Sequence, residues 1–291
     1  MRWLASHTRS LTLDRPRVVA ILNLTPDSFA GAGPHDDPAR ACELALRARE
    51  AGADALDVGG ESTRPGASRV SEAEQIARVV PAIRAMRAQR ALDAVPISID
   101  TTRASVALAA LEAGADAIND VSGATEDEQL LSLAATRGAG LILMHRLAPP
   151  DADRYSDRYD RPPQYADVVR EVGAFLTSRA HAALAAGVAR ESIVLDPGLG
   201  FGKDVAQNLA LVRGTPTLAA HGFPILSALS RKSFVGRVGL GRDSTPAERL
   251  APTLALSALH LSLGARLFRV HDVAEHRAAL DAAWAVIASG P

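Results

Sequence analysis

The chain has 291 residues, of which 47% are hydrophobic and 22% are charged, and its formal net charge at pH 7 is −1. This near balance excludes the global basic field with which many proteins bind nucleic acid or a membrane surface. No apolar run approaches the roughly 20 residues of a membrane span, and Met1–Leu13 lacks the apolar segment of a secretory signal. We therefore expect a cytoplasmic protein in which residues 1–291 form one domain.

Eight short apolar runs lie along the chain, and none alternates between apolar and polar residues as a half-exposed strand does. In chain order they are Arg17–Leu24, Ala55–Gly60, Pro96–Thr101, Ala117–Asp120, Gly140–His145, Ile193–Gly198, Pro224–Ser230 and Arg266–Asp272. Continuous apolar character is typical of strands buried on both faces. It favours a parallel sheet covered by helices.

The stretches between these runs are rich in Ala, Leu and Arg, with apolar residues at helical spacing. Most of the predicted helices stop at a glycine just before the next run, because glycine tolerates the left-handed conformation that closes a helix. These glycines are Gly52, Gly114, Gly138, Gly187, Gly222 and Gly264. The pattern is an internal repeat of strand and helix, and right-handed crossover connections make a closed barrel the economical arrangement.

The predicted fold is α/β, a single (β/α)8 barrel. A doubly wound open sheet is the alternative, but eight units in 291 residues match a barrel better. The C-terminal ends of barrel strands converge on the face that carries the active site. A polar residue able to bind or react stands at the end of each run, namely Asn23, Glu61, Asp100, Asn119, His145, Asp196, Lys232 and His271. The chain is therefore predicted to be an enzyme with its active site on that face.

Lysine is rare in this chain, since only Lys203 and Lys232 are found among 32 basic residues. A compact ammonium on a flexible stem fits confined sites that the broad arginine fork does not. We interpret Lys232 as functional, and Lys203 as a weaker functional candidate that could instead support its own loop. The single cysteine, Cys42, excludes an internal disulfide and is expected to be a small buried side chain.

Eight motifs in a fixed order resemble the dihydropteroate synthases, from residue 17 to residue 288. They are NLTPDSF (23–29), DVGGESTRPG (57–66), SIDT (98–101), IND (118–120), MH (144–145), DPGLGFGK (196–203), SRKS (230–233) and RVHD (269–272). The resemblance implies a TIM barrel and a transferase of folate biosynthesis. Its reaction would condense 6-hydroxymethyl-7,8-dihydropterin diphosphate with 4-aminobenzoate. It also implies a homodimer that is a target of sulfonamides.

A pterin presents adjacent N–H donors and a ring acceptor, which carboxylates and an amide match in a dry pocket. Asp100, Asn119 and Asp196 supply these groups, although a single strand-end Asp or Asn often only binds loop amides. The resemblance assigns all three to pterin binding. It adds Lys232 and Arg269, whose guanidinium plane can also stack on a flat ring.

The leaving diphosphate requires cations and hydrogen-bond donors. Arg269 and His271 stand two residues apart at the end of the eighth run, so both side chains are predicted to point to the same side. The resemblance places diphosphate among Asn23, Thr63, Arg64, Arg269 and His271, with Asn23 as a ligand of Mg²⁺. It implies that Arg64, Lys232, Arg269 and His271 are catalytic.

The same resemblance assigns 4-aminobenzoate to Thr63, Arg64, Pro65, Phe201 and Ser233. No nucleophile is required, because a pterin methylene cation stabilised by its ring could be attacked by the neutral aniline. Catalysis would then come from positioning, from stabilisation of the leaving group and from exclusion of water.

Two segments depart from the family pattern. Ala30–Gly33 (AGAG) replaces the usual SDGG, and Arg146–Pro163 replaces a shorter stretch. The second is rich in Pro and Asp, which predicts an exposed irregular loop that could be a tolerated surface insertion. Two other functions stay open at this point. One is a degenerate paralogue that binds pterin without turnover, and the other is a pterin-binding methyltransferase domain, against which the SRKS, GGESTRPG and RVHD motifs argue.

Overall fold

The computed structural model describes residues 1–24 and 38–289. The chain begins with a short antiparallel hairpin, β1 (Arg2–Leu4) and β2 (Ser10–Thr12). The sequence analysis did not predict it. Residues Thr25–Phe29 of the first motif and the altered stretch Ala30–Gly33 lie outside the described residues.

Eight parallel strands follow, one in each predicted run. They are β3 Arg17–Asn23, β4 Ala55–Gly59, β5 Ile97–Asp100, β6 Ala117–Asp120, β7 Gly140–Met144, β8 Ile193–Asp196, β9 Leu226–Ser227 and β10 Leu267–Val270. Their order around the sheet is β8-β7-β6-β5-β4-β3-β10-β9. A parallel bridge between Leu195 and Ile225 joins the two ends of the sheet. The predicted (β/α)8 barrel is confirmed, and an open doubly wound sheet is excluded by this closure.

Ten α-helices within the described residues surround the barrel. They are α1 Pro38–Glu50, α2 Glu72–Arg87, α3 Ala104–Ala113, α4 Gln129–Arg137, α5 Val168–Ala185, α6 Val205–Arg213, α7 Thr215–Ala219, α8 Ser233–Leu240, α9 Leu250–Ser262 and α10 Val273–Ala288. All six glycines predicted to follow helices have positive φ, from 58° at Gly138 to 116° at Gly264. None of these helices is long and apolar enough to cross a bilayer.

The barrel interior is divided into an apolar layer and a polar layer. Ala55, Ala117, Val194 and Leu267 belong to one buried apolar cluster. Two residues further along the same four strands stand Asp57, Asn119, Asp196 and Arg269. Because side chains two apart on a strand share a face, the polar layer lies directly above the apolar one, at the C-terminal ends of the strands.

The N-terminal hairpin closes the opposite end of the barrel. Trp3 is 1% exposed and packs in the same apolar cluster as the lower residues of the strands. Its indole Nε1 donates a hydrogen bond to the carbonyl of Ser192, 3.1 Å away, just before β8. The hairpin thus keeps water from the base of the barrel.

Cys42 is buried, as expected, and donates to the carbonyl of Ala85 at 3.7 Å.

We predict that Trp3→Ala lowers the free energy of unfolding by about 3–5 kcal/mol, because it removes a buried aromatic side chain and leaves a cavity. Val286→Ala, on a side chain that is 75% exposed, is the control and should change stability by less than about 0.5 kcal/mol. Chemical denaturation measures both. Equal small effects would show that the hairpin does not seal the barrel.

Candidate active site

A cavity of about 460 Å³ opens at the C-terminal ends of the strands. Nine of the twelve predicted site residues line it, namely Asn23, Thr63, Arg64, Pro65, Phe201, Lys232, Ser233, Arg269 and His271. The other three, Asp100, Asn119 and Asp196, are buried among the strand ends beside it. The structure therefore brings all twelve to one place. Their individual roles toward ligands stay predictions.

Strand register explains how residues so distant in sequence meet. Asn23 on β3 pairs with Gly59 on β4, Gly59 pairs with Asp100 on β5, and Asp100 pairs with Asn119 on β6. These four residues therefore stand side by side across four of the eight strands. Gly59 leaves its place in this row without a side chain, and a Cβ there would lie 3.6 Å from Asn23 Oδ1.

Arg269 holds two buried carboxylates together at the centre of the site. Its Nε lies 2.5 Å from Asp57 Oδ2, and its second terminal nitrogen lies 2.6 Å from Asp100 Oδ2. Asn119 Nδ2 donates to the same Asp57 oxygen at 3.1 Å. Burial lowers the pKa of Arg269, but the two carboxylates outweigh burial and raise it above its ordinary value. The guanidinium is therefore a permanent cation.

Asp57 is a functional candidate that the sequence analysis missed, although it begins one of the quoted motifs. It is fully buried, and its second oxygen accepts a hydrogen bond from Ser98 Oγ. The signal that could have found it is an acidic residue in the middle of the apolar run Ala55–Gly60. A buried carboxylate of this kind requires a cationic partner.

The two carboxylate oxygens of Asp100 differ in their hydrogen bonding. Oδ2 accepts from Arg269, while Oδ1 is buried and has no hydrogen-bond partner among the described residues. Burial raises the pKa of Asp100 to about 7, with Asp57 acting in the same direction and Arg269 opposing it. A buried acceptor without a partner is costly unless a ligand supplies the donor.

Asp196 and Lys232 form a second charged pair of neighbours. Asp196 Oδ1 accepts from the backbone N–H of Gly198 at 2.7 Å, which is the loop-supporting contact common for a strand-end Asp. Burial raises its pKa, and the charge of Lys232 opposes that rise. Burial lowers the pKa of Lys232 to about 7, against the attraction of Asp196. Lys232 donates to the carbonyl of Leu199, and its Nζ lies 4.1 Å from the centre of the Phe201 ring.

His271 and Arg269 both line the cavity, as the period of a strand predicts. His271 Nδ1 is 3.1 Å from Ser230 Oγ, and its backbone N–H donates to the same oxygen. Burial lowers the pKa of His271 to about 3, with the charges of Arg269 and Arg231 acting in the same direction. His271 is therefore neutral at pH 7 and offers hydrogen bonds rather than charge.

The loop and helix residues predicted for 4-aminobenzoate surround the outer part of the cavity. Ser233 is the first residue of α8, and its side chain is buried. Phe201 packs with Val121 and Met144 in a small apolar cluster. Arg64 is exposed in the loop after β4. The cavity thus has an apolar wall, a helix N-terminus and an exposed arginine, Arg64, at its rim.

Two of the polar strand-end residues, Glu61 and His145, support loops together with Lys203 instead of lining the cavity, and His145 Nδ1 lies 3.0 Å from Lys203 Nζ. Glu61 accepts from the backbone N–H of Val70 at 2.7 Å. Lys203 is fully buried and reaches the carbonyls of Phe201, Gly198 and His145 at 2.7, 3.0 and 3.3 Å. For Lys203 these contacts favour the alternative, a support for its own loop, over a role toward a ligand.

The segment 146–163 is irregular, as predicted, but it is not a mere surface insertion. Tyr155, Asp157 and Arg158 line the cavity. Asp153 and Ser156 are buried because their side chains bond to the loop and helix that follow β8. The prediction of an exposed loop was wrong for Asp153 and Ser156, while Tyr155 and Arg158 are exposed as predicted. Composition alone did not show that its polar side chains have partners elsewhere in the chain.

Comparison with known proteins assigns this site to a class. A family model described as pterin binding enzyme matches residues 19–271. A dihydropteroate synthase of Synechocystis sp. is 44% identical over 260 residues, 89% of this chain and 86% of that protein. A Xanthomonas albilineans dihydropteroate synthase solved with 4-aminobenzoic acid is 42% identical, with a TM-score of 0.88 over 99% of this chain and 98% of that one. A Xanthomonas albilineans structure with 7,8-dihydropteroate is 39% identical, with a TM-score of 0.85 over 100% of both chains.

The fold, the buried polar layer and the family match define a pterin-binding enzyme. Within that class, the chain belongs to the dihydropteroate synthase family. The resemblance found in the motifs is confirmed. The relatives over the full barrel are synthases, so they give no support to a methyltransferase domain.

We predict that Asp57→Asn weakens pterin binding by about 10- to 100-fold, because Arg269 loses one of the charge-assisted hydrogen bonds that orient it, worth about 1.5–3 kcal/mol. Asp54→Asn is the matched control. Asp54 also bonds to Arg17, at 3.1 Å, but it precedes β4 at the other end of the barrel. The pterin affinity of this control, measured by calorimetry, should equal that of the wild-type protein. Equal losses in both variants would assign Asp57 to stability alone.

We predict that His271 stays neutral between about pH 5 and pH 8 in the free protein, because its pKa is lowered far below the ordinary value. Its ring signals in NMR, assigned with His271→Gln, should not titrate in that range. Bound diphosphate should favour the imidazolium and raise the pKa. A midpoint above about pH 5 without ligand would contradict the environment described here.

Proposed function

We propose that this protein condenses 6-hydroxymethyl-7,8-dihydropterin diphosphate with 4-aminobenzoate to form 7,8-dihydropteroate and diphosphate. The observation that carries this proposal is that three kinds of surface line the same cavity. They are Arg269 with its two buried carboxylate partners, the polar residues Arg64 and His271, and the apolar ring of Phe201. One ligand with a polar ring and a diphosphate, and a second with an apolar ring, match these three surfaces.

The pterin binds at the polar layer. The unpartnered Oδ1 of Asp100 accepts from the N–H edge of the pterin, while Oδ2 stays with Arg269. Asp196 and Asn119 complete the recognition of that edge. A molecule without matching donors leaves these buried groups unpaired, which makes the pocket selective. Arg269 lies beside the ring, where its guanidinium plane can stack on the pterin.

The diphosphate leaves toward the rim. The bond between the pterin methylene and the diphosphate oxygen breaks, and the electron pair departs with the diphosphate. Arg269 and Arg64 stabilise the developing negative charge, and the neutral His271 donates a hydrogen bond. The aniline nitrogen then forms the new C–N bond and gives up its proton, which the departing diphosphate can accept.

The 4-aminobenzoate lies along Phe201, with its carboxylate toward the start of α8. Ser233 and the N–H groups of that first helical turn suit an anion. Thr63 and Pro65 border the same part of the cavity. This orientation directs the amine inward, toward the pterin methylene, so that proximity supplies much of the catalysis.

The residues present fit a Mg²⁺ ion that is held mainly by substrate. No cluster of three or more His, Cys, Asp or Glu that could hold a metal ion is found in the described residues. Asn23 lines the cavity, and its amide oxygen lies beside Gly59, which has no side chain. One protein oxygen together with diphosphate oxygens and waters is a coordination that Mg²⁺ accepts. When bound, the ion would neutralise part of the charge of the diphosphate.

The proposal extends to the cellular setting. A homodimer is proposed from the family resemblance, and sedimentation would test it. A sulfonamide, which carries an aniline ring like that of 4-aminobenzoate, should compete for the Phe201 wall. The cytoplasm is the proposed location, since both substrates are small polar metabolites of folate biosynthesis.

Purified protein with pterin diphosphate and radiolabelled 4-aminobenzoate tests the reaction. We expect labelled 7,8-dihydropteroate and diphosphate in equal amounts. Pterin binding without product would overturn the proposal in favour of a degenerate paralogue.

We predict that Mg²⁺ tightens the binding of inorganic diphosphate to the protein by about tenfold or more, as measured by calorimetry with and without a chelator. Asn23→Ala should lose most of this dependence, because it removes the protein oxygen. Asn23→Asp, which keeps an oxygen at that place, should retain it. Equal affinities of the wild-type protein with Mg²⁺ and with the chelator would exclude a metal role.

A further inference from the structure

The segment 146–163 touches three separate walls of the cavity. Its Pro150 carbonyl accepts a hydrogen bond of 2.7 Å from the backbone N–H of Gly66, in the loop after β4. Asp153 accepts one of 3.0 Å from the backbone N–H of Gly202, in the loop after β8. Arg158 pairs with Asp243, beyond α8, at 2.6 Å. The segment therefore connects the loops that carry Pro65 and Phe201 with the stretch that follows α8.

Asp153 is the most buried of these connections. Its side chain is 8% exposed in spite of its charge. One oxygen accepts from Gly202, and the other accepts from the hydroxyl of Tyr159, a residue of the same segment. A carboxylate that donors satisfy on both oxygens in a buried place is fixed in orientation.

The backbone on both sides of Gly202 is held by hydrogen bonds to this segment and to Tyr165. Its N–H donates to Asp153, while its carbonyl accepts from the hydroxyl of Tyr165 at 3.0 Å. Gly202 has a φ of +61°, and a Cβ there would come within 2.7 Å of Leu147 Cβ. Segment and loop are therefore in direct backbone contact, with no room for a side chain between them.

Gly202 directly follows Phe201, and the carbonyl of Phe201 accepts from the buried Lys203 at 2.7 Å. The loop is thus held by Lys203 on one side and by Asp153 on the other. Between these two contacts the Phe201 ring covers Lys232, 4.1 Å from its ammonium. Both contacts therefore act on the peptide group that joins Phe201 to Gly202.

We propose that Asp153 is a positioning residue for the second substrate: it holds the Gly198–Lys203 loop so that the Phe201 ring is already placed when 4-aminobenzoate arrives. The inference rests on the proposed function, in which Phe201 packs on the aminobenzoate ring. Without Asp153 the loop would have to be ordered during binding, and a binding step that includes ordering loses affinity. Pterin binding, deeper in the barrel, does not require this contact.

The test compares Asp153→Ala, Asp153→Asn and Asp160→Ala in steady-state kinetics. We expect Asp153→Ala to raise the KM for 4-aminobenzoate by about tenfold, the worth of one hydrogen bond, with kcat and the KM for pterin diphosphate changed less than about twofold. Asp153→Asn should recover most of the affinity, since its amide oxygen can still accept from Gly202. Asp160, whose side chain is 91% exposed in the same segment, is the control and should behave as the wild-type protein.

A second measurement follows the loop itself. Hydrogen exchange in peptides covering 198–203 should become faster in Asp153→Ala, while peptides of α6 keep their protection. Unchanged exchange in the loop, or an equal change in all three kinetic constants, would overturn the inference. A wild-type protein that makes no dihydropteroate would overturn the proposed function instead. In that case the affinity for 4-aminobenzoate, measured by calorimetry with pterin and diphosphate present, would test Asp153 separately. A tenfold weaker affinity in Asp153→Ala than in the wild-type protein would support the positioning role, and equal affinities would exclude it.

Discussion

The site depends on one buried ion-pair cluster, in which Arg269 lies between Asp57 and Asp100. Its members come from three strands, and the arginine is 212 and 169 residues away from its two partners in sequence. Removing three charges from water is expensive, and their attraction offsets that cost only with good geometry. The raised pKa of Asp100 shows that the compensation is incomplete. The barrel must therefore supply the stability that this cluster does not.

The apolar layer beneath the cluster supplies part of it. Its strand residues, among them Ala55 and Ala117, pack with Trp3 from the hairpin. An apolar layer therefore separates the polar layer from the opposite end of the barrel. A low local dielectric strengthens the pairing of Arg269 with its carboxylates, and it also makes the unpartnered Oδ1 of Asp100 more costly. The same environment therefore fixes the arginine and favours a ligand that brings hydrogen-bond donors. The low local dielectric of the barrel interior therefore contributes both to the pairing of Arg269 and to the selectivity for a ligand with donors.

The sequence predicted the parts of the fold that repeat and missed those that occur once. Eight apolar runs and six helix-closing glycines follow a period, and each has the predicted structure. The hairpin that carries Trp3 has strands of three residues, too short for alternation to be visible. Asp57 was missed because its role depends on its ion pair with Arg269, which is 212 residues away in the sequence. The buried Asp153 was missed for a similar reason, since Gly202, one of its two partners, lies in another loop of the barrel.

The two lysines show what composition can and cannot indicate. Their scarcity predicted confined surroundings for both, and both ammonium groups are enclosed: Lys203 among backbone carbonyls, and Lys232 between Leu199, Phe201 and the charge of Asp196. A planar guanidinium could not reach the carbonyls around Lys203 from one point, as a tetrahedral ammonium does. Only Lys232 faces the cavity, however. A retained lysine therefore indicates that its ammonium group is closely surrounded. Whether the lysine supports a loop or contacts a ligand depends on whether that ammonium faces the loop backbone, as in Lys203, or the cavity, as in Lys232.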